Sequence, residues 1–552
     1  LIGTDVFFHE GAAYGLLIES QPGNPMLAAD VLRQRVERMQ KGDGVTEEKL
    51  KLAERQVSFL SSPDGRVRSF YVADGPYHFV TTSRTLARRF LETASGEGSL
   101  GATEEFHYAR SLMPVDRKDT IFAYLSHRFF QNLVSPRYRV ELVRRAQALA
   151  DIELLEMARW AGEAEGKTAG SPQDLRDAGL LPRDFGVRPD GSRTVVEGDN
   201  VCDSLRGRRG WFVPVPDIDV GRVTTAEEHA YREFAGHYRD KLERLDPIVL
   251  AVKRTPLDAG RDRLVIDASM TPLAKRRYSR LREILGEPQS TRLAAVEGDL
   301  ASIEMVFAST RRFAGLHDSG PPARVAPTAL ILGGRLAELL VGYVGTTGEI
   351  GFLGFLDDQI QGLSDPSGYA GREGGLWRRT VGDFTVFSFY RDVLEAVTPQ
   401  LRYVEAERPA QIWLRVGDIS DAQLTPLLNK VGYRRSRETS LGNLRLMHAL
   451  HQQLRVPVAE CQDVAEELLN ADMVCPLGGQ YTCRPTDGAA RYWTSTALEG
   501  SLGSPRRAEV PEGFQSPIVS WLRALEADVR LDEDSLSLHA ELEMQVPGRK
   551  AK

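Results

Sequence analysis

Long apolar runs are missing from this sequence. The most apolar stretch, residues 329–344, is broken by Arg335 and Glu338, and no run reaches the roughly 18 apolar residues a helix needs to cross a bilayer. A transmembrane helix is therefore excluded from the expectations. Basic excess is missing too, because 70 Lys and Arg stand against 77 Asp and Glu for a formal charge of −7. That balance argues against a general polyanion binder and against nucleic acid as the partner. Catalytic signatures are equally scarce. There is no Gly-x-Ser-x-Gly elbow, and Gly333-Gly334 before Arg335 falls short of a phosphate loop, so the common hydrolase routes lose support. What remains is ordinary globular material: 42% hydrophobic, 27% charged and 8% aromatic residues. At about 150 residues per domain, 552 residues predict two to four folding units.

Only four cysteines are present, and Cys461, Cys475 and Cys483 fall within 23 residues of one another. Cys475 and Cys483 bracket the turn-rich Pro-Leu-Gly-Gly-Gln-Tyr-Thr. Two readings stand. A disulfide between them requires their Cα atoms to approach within about 7 Å and implies an oxidising compartment; the other reading is buried free thiols. The chain opens on Leu1 without a methionine, as expected of a processed chain or a piece of a longer precursor.

Self-similarity is the most informative feature. The helix-like run from Arg145 can be laid on the run from Arg437, so that Leu149 meets Leu441, Ile152 meets Leu444 and Leu154 meets Leu446. A strand-like segment precedes each, Thr120-Ile-Phe-Ala-Tyr-Leu and Gln411-Ile-Trp-Leu-Arg-Val. Pro-x-Gly turns follow each, at Pro189 and Pro476. Near the two ends, Leu264, Ile266 and Ala268 match Leu536, Leu538 and Ala540. An earlier strand-to-helix passage pairs Arg84 with Arg391. The offsets fall steadily from 307 to 272, as one duplicated unit with unequal loops would give. The expected fold class is α+β, with two tandem, internally duplicated domains, 1–272 and 273–552. Their sheets should be mostly antiparallel, with helices packed on one face.

The segments Phe70-Tyr-Val-Ala-Asp-Gly-Pro-Tyr-His-Phe-Val-Thr-Thr-Ser, Arg137-Tyr-Arg-Val-Glu-Leu-Val-Arg-Arg and Cys475-Pro-Leu-Gly-Gly-Gln-Tyr, and the closing stretch from Trp521 to Met544, carry a resemblance. With them the chain resembles a group of bacterial cell-envelope proteins of unknown function, built from repeated hairpin-plus-helix units. That resemblance covers most of the chain and implies a secreted or membrane-tethered module. It brings no catalytic residue with it.

Individual constellations give weaker signals. His448 and His451 lie three apart on a helix near Cys461 and Cys475, which invites a zinc reading, but no Cys-x2-Cys or His-x3-His completes the ligand set. His9 and Glu10 alternate on a strand and cannot cooperate. Asp217 and Asp219 offer oxygen to calcium but lack the remaining ligands of an EF-hand loop. Basic clusters at Arg137–Arg145, around Arg208 and Arg209, around Arg276 and Arg277, and after Tyr433 are readable as contacts for an anionic surface or as solvated faces. The sequence thus leads to an expectation of a non-catalytic, extracytoplasmic scaffold or binding module without cofactor or resident metal. Its partner would be a protein or envelope component, with peripheral membrane contact as a further option. The alternative is a hydrolase whose site lies in the second copy only, built on His448, His451 and a carboxylate.

Overall fold

The computed structural model describes the chain except residues 6–10, 22–27, 40, 42–43, 97, 168–169, 199, 240–244, 259, 274, 309, 319–341, 349, 361–364, 373–374, 470, 486–490, 499–508 and 547–552. Helices and mostly antiparallel sheets make it an α+β protein. It forms two compact units that interleave along the chain. The first comprises Leu1–Thr103, Ser126–Leu245 and Arg437–Gly503, the second Glu104–Leu125, Asp246–Ser436 and Ser504–Lys552. The chain is therefore not compacted as 1–272 followed by 273–552. Strand pairing is the reason: Arg261–Met270, the last strand before the expected cut, pairs along its whole length with Leu536–Gln545.

In the first unit a six-stranded sheet runs in the order Ile2–Gly3, Tyr14–Glu19, Tyr77–Thr81, Arg68–Asp74, Arg55–Ser61, Thr46–Leu52. Alternation along these strands buries Val57, Phe70, Val72 and Phe79 against Leu86, Ala87 and Leu91 of the helix Arg84–Ala94. Ser83 caps that helix by accepting from the Leu86 N–H. The Ser62-Pro-Asp-Gly-Arg turn joins two of the strands, with Gly65 at φ +73°, a conformation glycine reaches without steric cost. The 29-residue helix Pro136–Ala164 turns Ala148, Ile152, Leu155 and Ala158 onto Leu175, Phe185, Val201 and Phe212. From Arg437 onward the helix Thr425–Leu454 does the same with Leu444, Met447 and Leu450 against Cys461, Ala465, Trp493 and Leu498.

The second unit is built on twelve strands in the order Tyr369–Ala370, Trp377–Val381, Phe384–Ser388, Gly342–Thr347, Thr310–His317, Asp299–Phe307, Ile412–Val416, Leu522–Leu531, Leu536–Gln545, Arg261–Met270, Ile248–Asp258, Ile121–Leu125. Outward from the contact between Arg261–Met270 and Leu536–Gln545, each side continues with the strand's hairpin partner and then a strand from earlier in the chain. Registers on the two sides correspond. Val252 pairs with Ile266 and Ile121, while Val529 pairs with Leu538 and Ile412. Leu250 pairs with Ala268 and Ala123, while Ala527 pairs with Ala540 and Leu414. Of these, Ile121 with Ile412, Ala123 with Leu414, Ile266 with Leu538 and Ala268 with Ala540 are also matched in the sequence, whereas Val252 with Val529 and Leu250 with Ala527 are not.

Candidate functional site

In the second unit, antiparallel pairing gathers three chemically capable side chains that are distant in sequence. Asp299 lies opposite His317, and Gly315 opposite Tyr343, on neighbouring strands. The Tyr343 hydroxyl donates to Asp299 Oδ2, and His317 Nδ1 stands 3.0 Å from Asp299 Oδ1. The Asp299 side chain is 4% exposed. Burial pushes its carboxyl above the ordinary aspartate value, against the bonds from Tyr343 and His317. Burial together with the Asp299 charge drives the Tyr343 phenol up as well. Two glycines make room. A Cβ on Gly298 would come within 2.7 Å of the His317 ring, and one on Gly315 within 2.4 Å of the Tyr343 ring.

Beside this cluster is a cavity of about 60 Å³ lined by Arg292, Val296, Asp299, Ser302, Tyr343 and Arg415. Its size suits a water-sized or small polar group. A carboxylate–histidine pair next to a serine invites a nucleophilic reading. Among the described residues, however, no hydrogen bond joins Ser302 to His317. Nor is the cluster repeated, because the register puts Gly15, paired with Thr81, where Tyr343 pairs with Ser388.

A second charged row crosses the last six strands of the same sheet: Phe122, Ala251, Asp267, His539, Asp528 and Trp413 are successive cross-strand neighbours. His539 Nδ1 is 2.6 Å from Asp267 Oδ1, and Arg117 donates to Asp267 Oδ2. Burial opposes ionisation of Asp267, but the bonds from His539 and Arg117 outweigh it and hold the carboxyl low. Asp528 is pushed up by burial, with Arg408 opposing.

The densest charge lies in the first unit. Arg206, fully buried, donates to both oxygens of Glu141 at 2.9 Å and to Asp190 at 2.5 Å. Arg145 reaches Glu141 at 3.0 Å, Arg144 reaches Glu227 at 2.6 Å, and Arg188 binds Asp203 and Asp151. Burial works against the Asp190 carboxylate, yet Arg206 and Ser192 hold it at about 2. Much of what reads in sequence as basic surface is thus core. Arg209 is corrected in the same way: its guanidinium is 14% exposed, pairs with Glu153 at 3.0 Å and donates to the Leu468 carbonyl. Arg208 is half-buried. The side chains of Arg276 and Arg277, like His9, Glu10, Gly333 and Gly334, lie outside the described residues.

The remaining expected sites resolve as follows. All four thiols are free, so Cys475 and Cys483 are not bonded to each other. Cys483 sits opposite Trp493 in a hairpin, whereas Cys475 Sγ lies 3.3 Å from Ser440 Oγ and 3.1 Å from Ser495 Oγ. Burial pushes the Cys475 thiol up, but those hydroxyls and the Leu477 and Gly479 N–H groups bring it below the ordinary value. His451 Nδ1 is 2.8 Å from the Val456 carbonyl. Among the described residues no group of three or more His, Cys, Asp or Glu is placed to hold a metal. Asp217 accepts from Ser83 Oγ, the Arg84 and Thr85 N–H groups and Arg68, so it anchors a helix start. No helix among the described residues is long and apolar enough to cross a membrane. Against known protein families, curated proteins and solved structures, the chain matches none.

Proposed function

We propose that the chain is a non-catalytic scaffold or binding module, made by internal duplication and working on the extracytoplasmic side of a cell envelope. One observation carries this reading. The rows Ile121–Val252–Ile266 and Ile412–Val529–Leu538 correspond position by position, while the Asp299–His317–Tyr343 cluster has no counterpart among the described residues of the other half, where Gly15 takes the place of Tyr343. Packing repeated without chemistry favours a duplicated framework over a duplicated active site. Its charged groups are largely committed to one another, as at Arg206, Glu141 and Asp190, which makes the framework stiff. The envelope location rests on the resemblance carried by the hairpin-plus-helix segments.

The second reading is a hydrolase in the second unit. His317 and Asp299 beside a serine-lined cavity favour it, in place of His448 and His451. A panel of ester, glycoside and peptide substrates, run on the chain and on Asp299→Asn, separates the two. Turnover by neither protein fits the scaffold, whereas equal turnover by both removes the Asp299 site but contradicts a non-catalytic chain. Turnover that Asp299→Asn abolishes overturns it.

A further inference from the structure

The strand Tyr14–Glu19 presents an unusual edge. Among the described residues only Ile2–Gly3 pairs with its outer side, at Gly15 and Tyr14. Beyond that point Leu16, Leu17 and Ile18 are 52%, 40% and 46% exposed, and Glu19 is exposed. Edges are normally blunted with charge, proline or bulges because they offer unpaired backbone groups to other chains. The opposite edge of this sheet obeys that rule, since Thr46–Leu52 exposes Glu47, Glu48, Lys49 and Lys51. At Leu16–Ile18 three consecutive apolar residues stand where charge is expected.

The second unit shows what such a position accepts. Gly342–Thr347 stands beside Phe384–Ser388 and Trp377–Val381 as Tyr14–Glu19 stands beside Tyr77–Thr81 and Arg68–Asp74. There the outer side is covered by Thr310–His317, paired from Arg312–Thr346 to Leu316–Gly342. Carried across, Leu16, Leu17 and Ile18 correspond to Val344, Gly345 and Thr346, which face Ala314, Phe313 and Arg312. Next in line, Glu19 takes the place of Thr347, whose Oγ1 accepts from the Arg311 N–H. Glu19 therefore offers a negative charge where the covering strand carries arginine.

We propose that the edge Leu16–Glu19 docks an extended segment of another polypeptide. The segment adds an antiparallel strand, apolar opposite Leu16 and Leu17 and basic opposite Ile18 and Glu19. Main-chain hydrogen bonds hold it, and the Glu19 charge sets its direction and register. This rests on the duplicated-scaffold reading and supplies the chemistry of its partner.

The probe is a fluorescent peptide with the sequence of Thr310–His317, titrated into the 552-residue chain, with amide exchange followed at Leu17 and Glu19, whose N–H groups point away from Tyr77–Thr81. Saturable binding that slows exchange there is expected. Leu17→Pro, which removes a backbone donor, and Ile18→Lys, which adds like charge to the basic peptide, should each weaken binding at least tenfold. Circular dichroism checks that both remain folded. Absent binding, or binding by both variants as tight as by the unaltered chain, overturns the proposal. So does exchange at Leu17 and Glu19 that is already slow without peptide: if concentration-dependent it assigns the edge to a second copy, and otherwise to the chain's own backbone. These failures leave the duplication standing, since that is tested at a different strand pair.

Discussion

Asp267 and His539 face each other across neighbouring antiparallel strands, 272 positions apart in the chain, with His539 Nδ1 2.6 Å from Asp267 Oδ1. That separation equals the offset between Leu264 and Leu536 in the sequence comparison. A residue and its aligned counterpart are therefore direct neighbours on the ninth and tenth strands of the twelve-stranded sheet. Next to this pair the row Ile266–Val252–Ile121 on one side matches Leu538–Val529–Ile412 on the other.

Arg206 should be indispensable for folding. Its guanidinium is fully buried between Glu141, Asp190 and Ser192, so Arg206→Met leaves buried Glu141 with Arg145 alone and takes the arginine from Asp190. Losing one partner of a buried pair costs about 3–5 kcal/mol. Urea unfolding should show a loss of that size, or no folded protein. A change below about 1 kcal/mol would mean the network contributes little.

Stability should fall as pH rises through neutrality because of Glu156. Burial, with Glu467 and Glu153 adding to it against Arg209 and Arg208, pushes this carboxyl from 4.5 up to about 7. Its Oε2 is buried without a hydrogen-bond partner. A folded value above the unfolded one means that the contribution is complete below about pH 4.5 and is lost as pH rises through about 7. Glu156→Gln should flatten that part of the profile and be the more stable protein at pH 8, read as the urea midpoint across pH. Parallel profiles for the two proteins would contradict this.

Asp299 and Tyr343 should behave as one unit. Asp299→Ala strands both the phenol and the His317 ring, whereas Tyr343→Phe removes one donor. Their combined loss in urea unfolding should differ from additivity by about 0.5–3 kcal/mol. Strict additivity would mean that the hydroxyl–carboxylate contact is not made in solution.

Four thiols should be countable without a reductant. In the folded chain alkylation should reach half-buried Cys483 first, with the buried Cys202, Cys461 and Cys475 slower. Burial raises the Cys202 thiol to about 11 and the Cys461 thiol above its ordinary value, so these two should be the least reactive. Denaturation alone should then give four adducts by mass spectrometry. A count that reaches four only after reduction would contradict free thiols.

Local and paired strand patterns were legible in the sequence, because an alternating run such as Leu536 to Ala540 reports its faces directly. The helices starting at Pro136 and Thr425 were legible from their apolar stripes. The division into units was not, because a cut at Pro272 follows chain order, whereas hydrogen bonding joins Arg261–Met270 to Leu536–Gln545. Arginine identity was equally misleading: Arg144, Arg145 and Arg206 look like surface charge until their acids, Glu227, Glu141 and Asp190, arrive from other segments. The Asp299–His317–Tyr343 cluster spans three strands. Its sole local signal was the pair of glycines, Gly298 and Gly315, that leave space for the rings.

The central claim is that two equivalent halves meet at Asp267 and His539, and cysteine cross-linking tests it most directly. Residues facing each other on antiparallel strands have Cα atoms about 4.5–5.5 Å apart, within disulfide reach. Asp267→Cys with His539→Cys should yield a cross-linked peptide pair after mild oxidation, while Asp267→Cys with Ser537→Cys, two residues out of register, should not. Cross-linking of the shifted pair instead, or of neither, would contradict the register on which the proposed duplication rests.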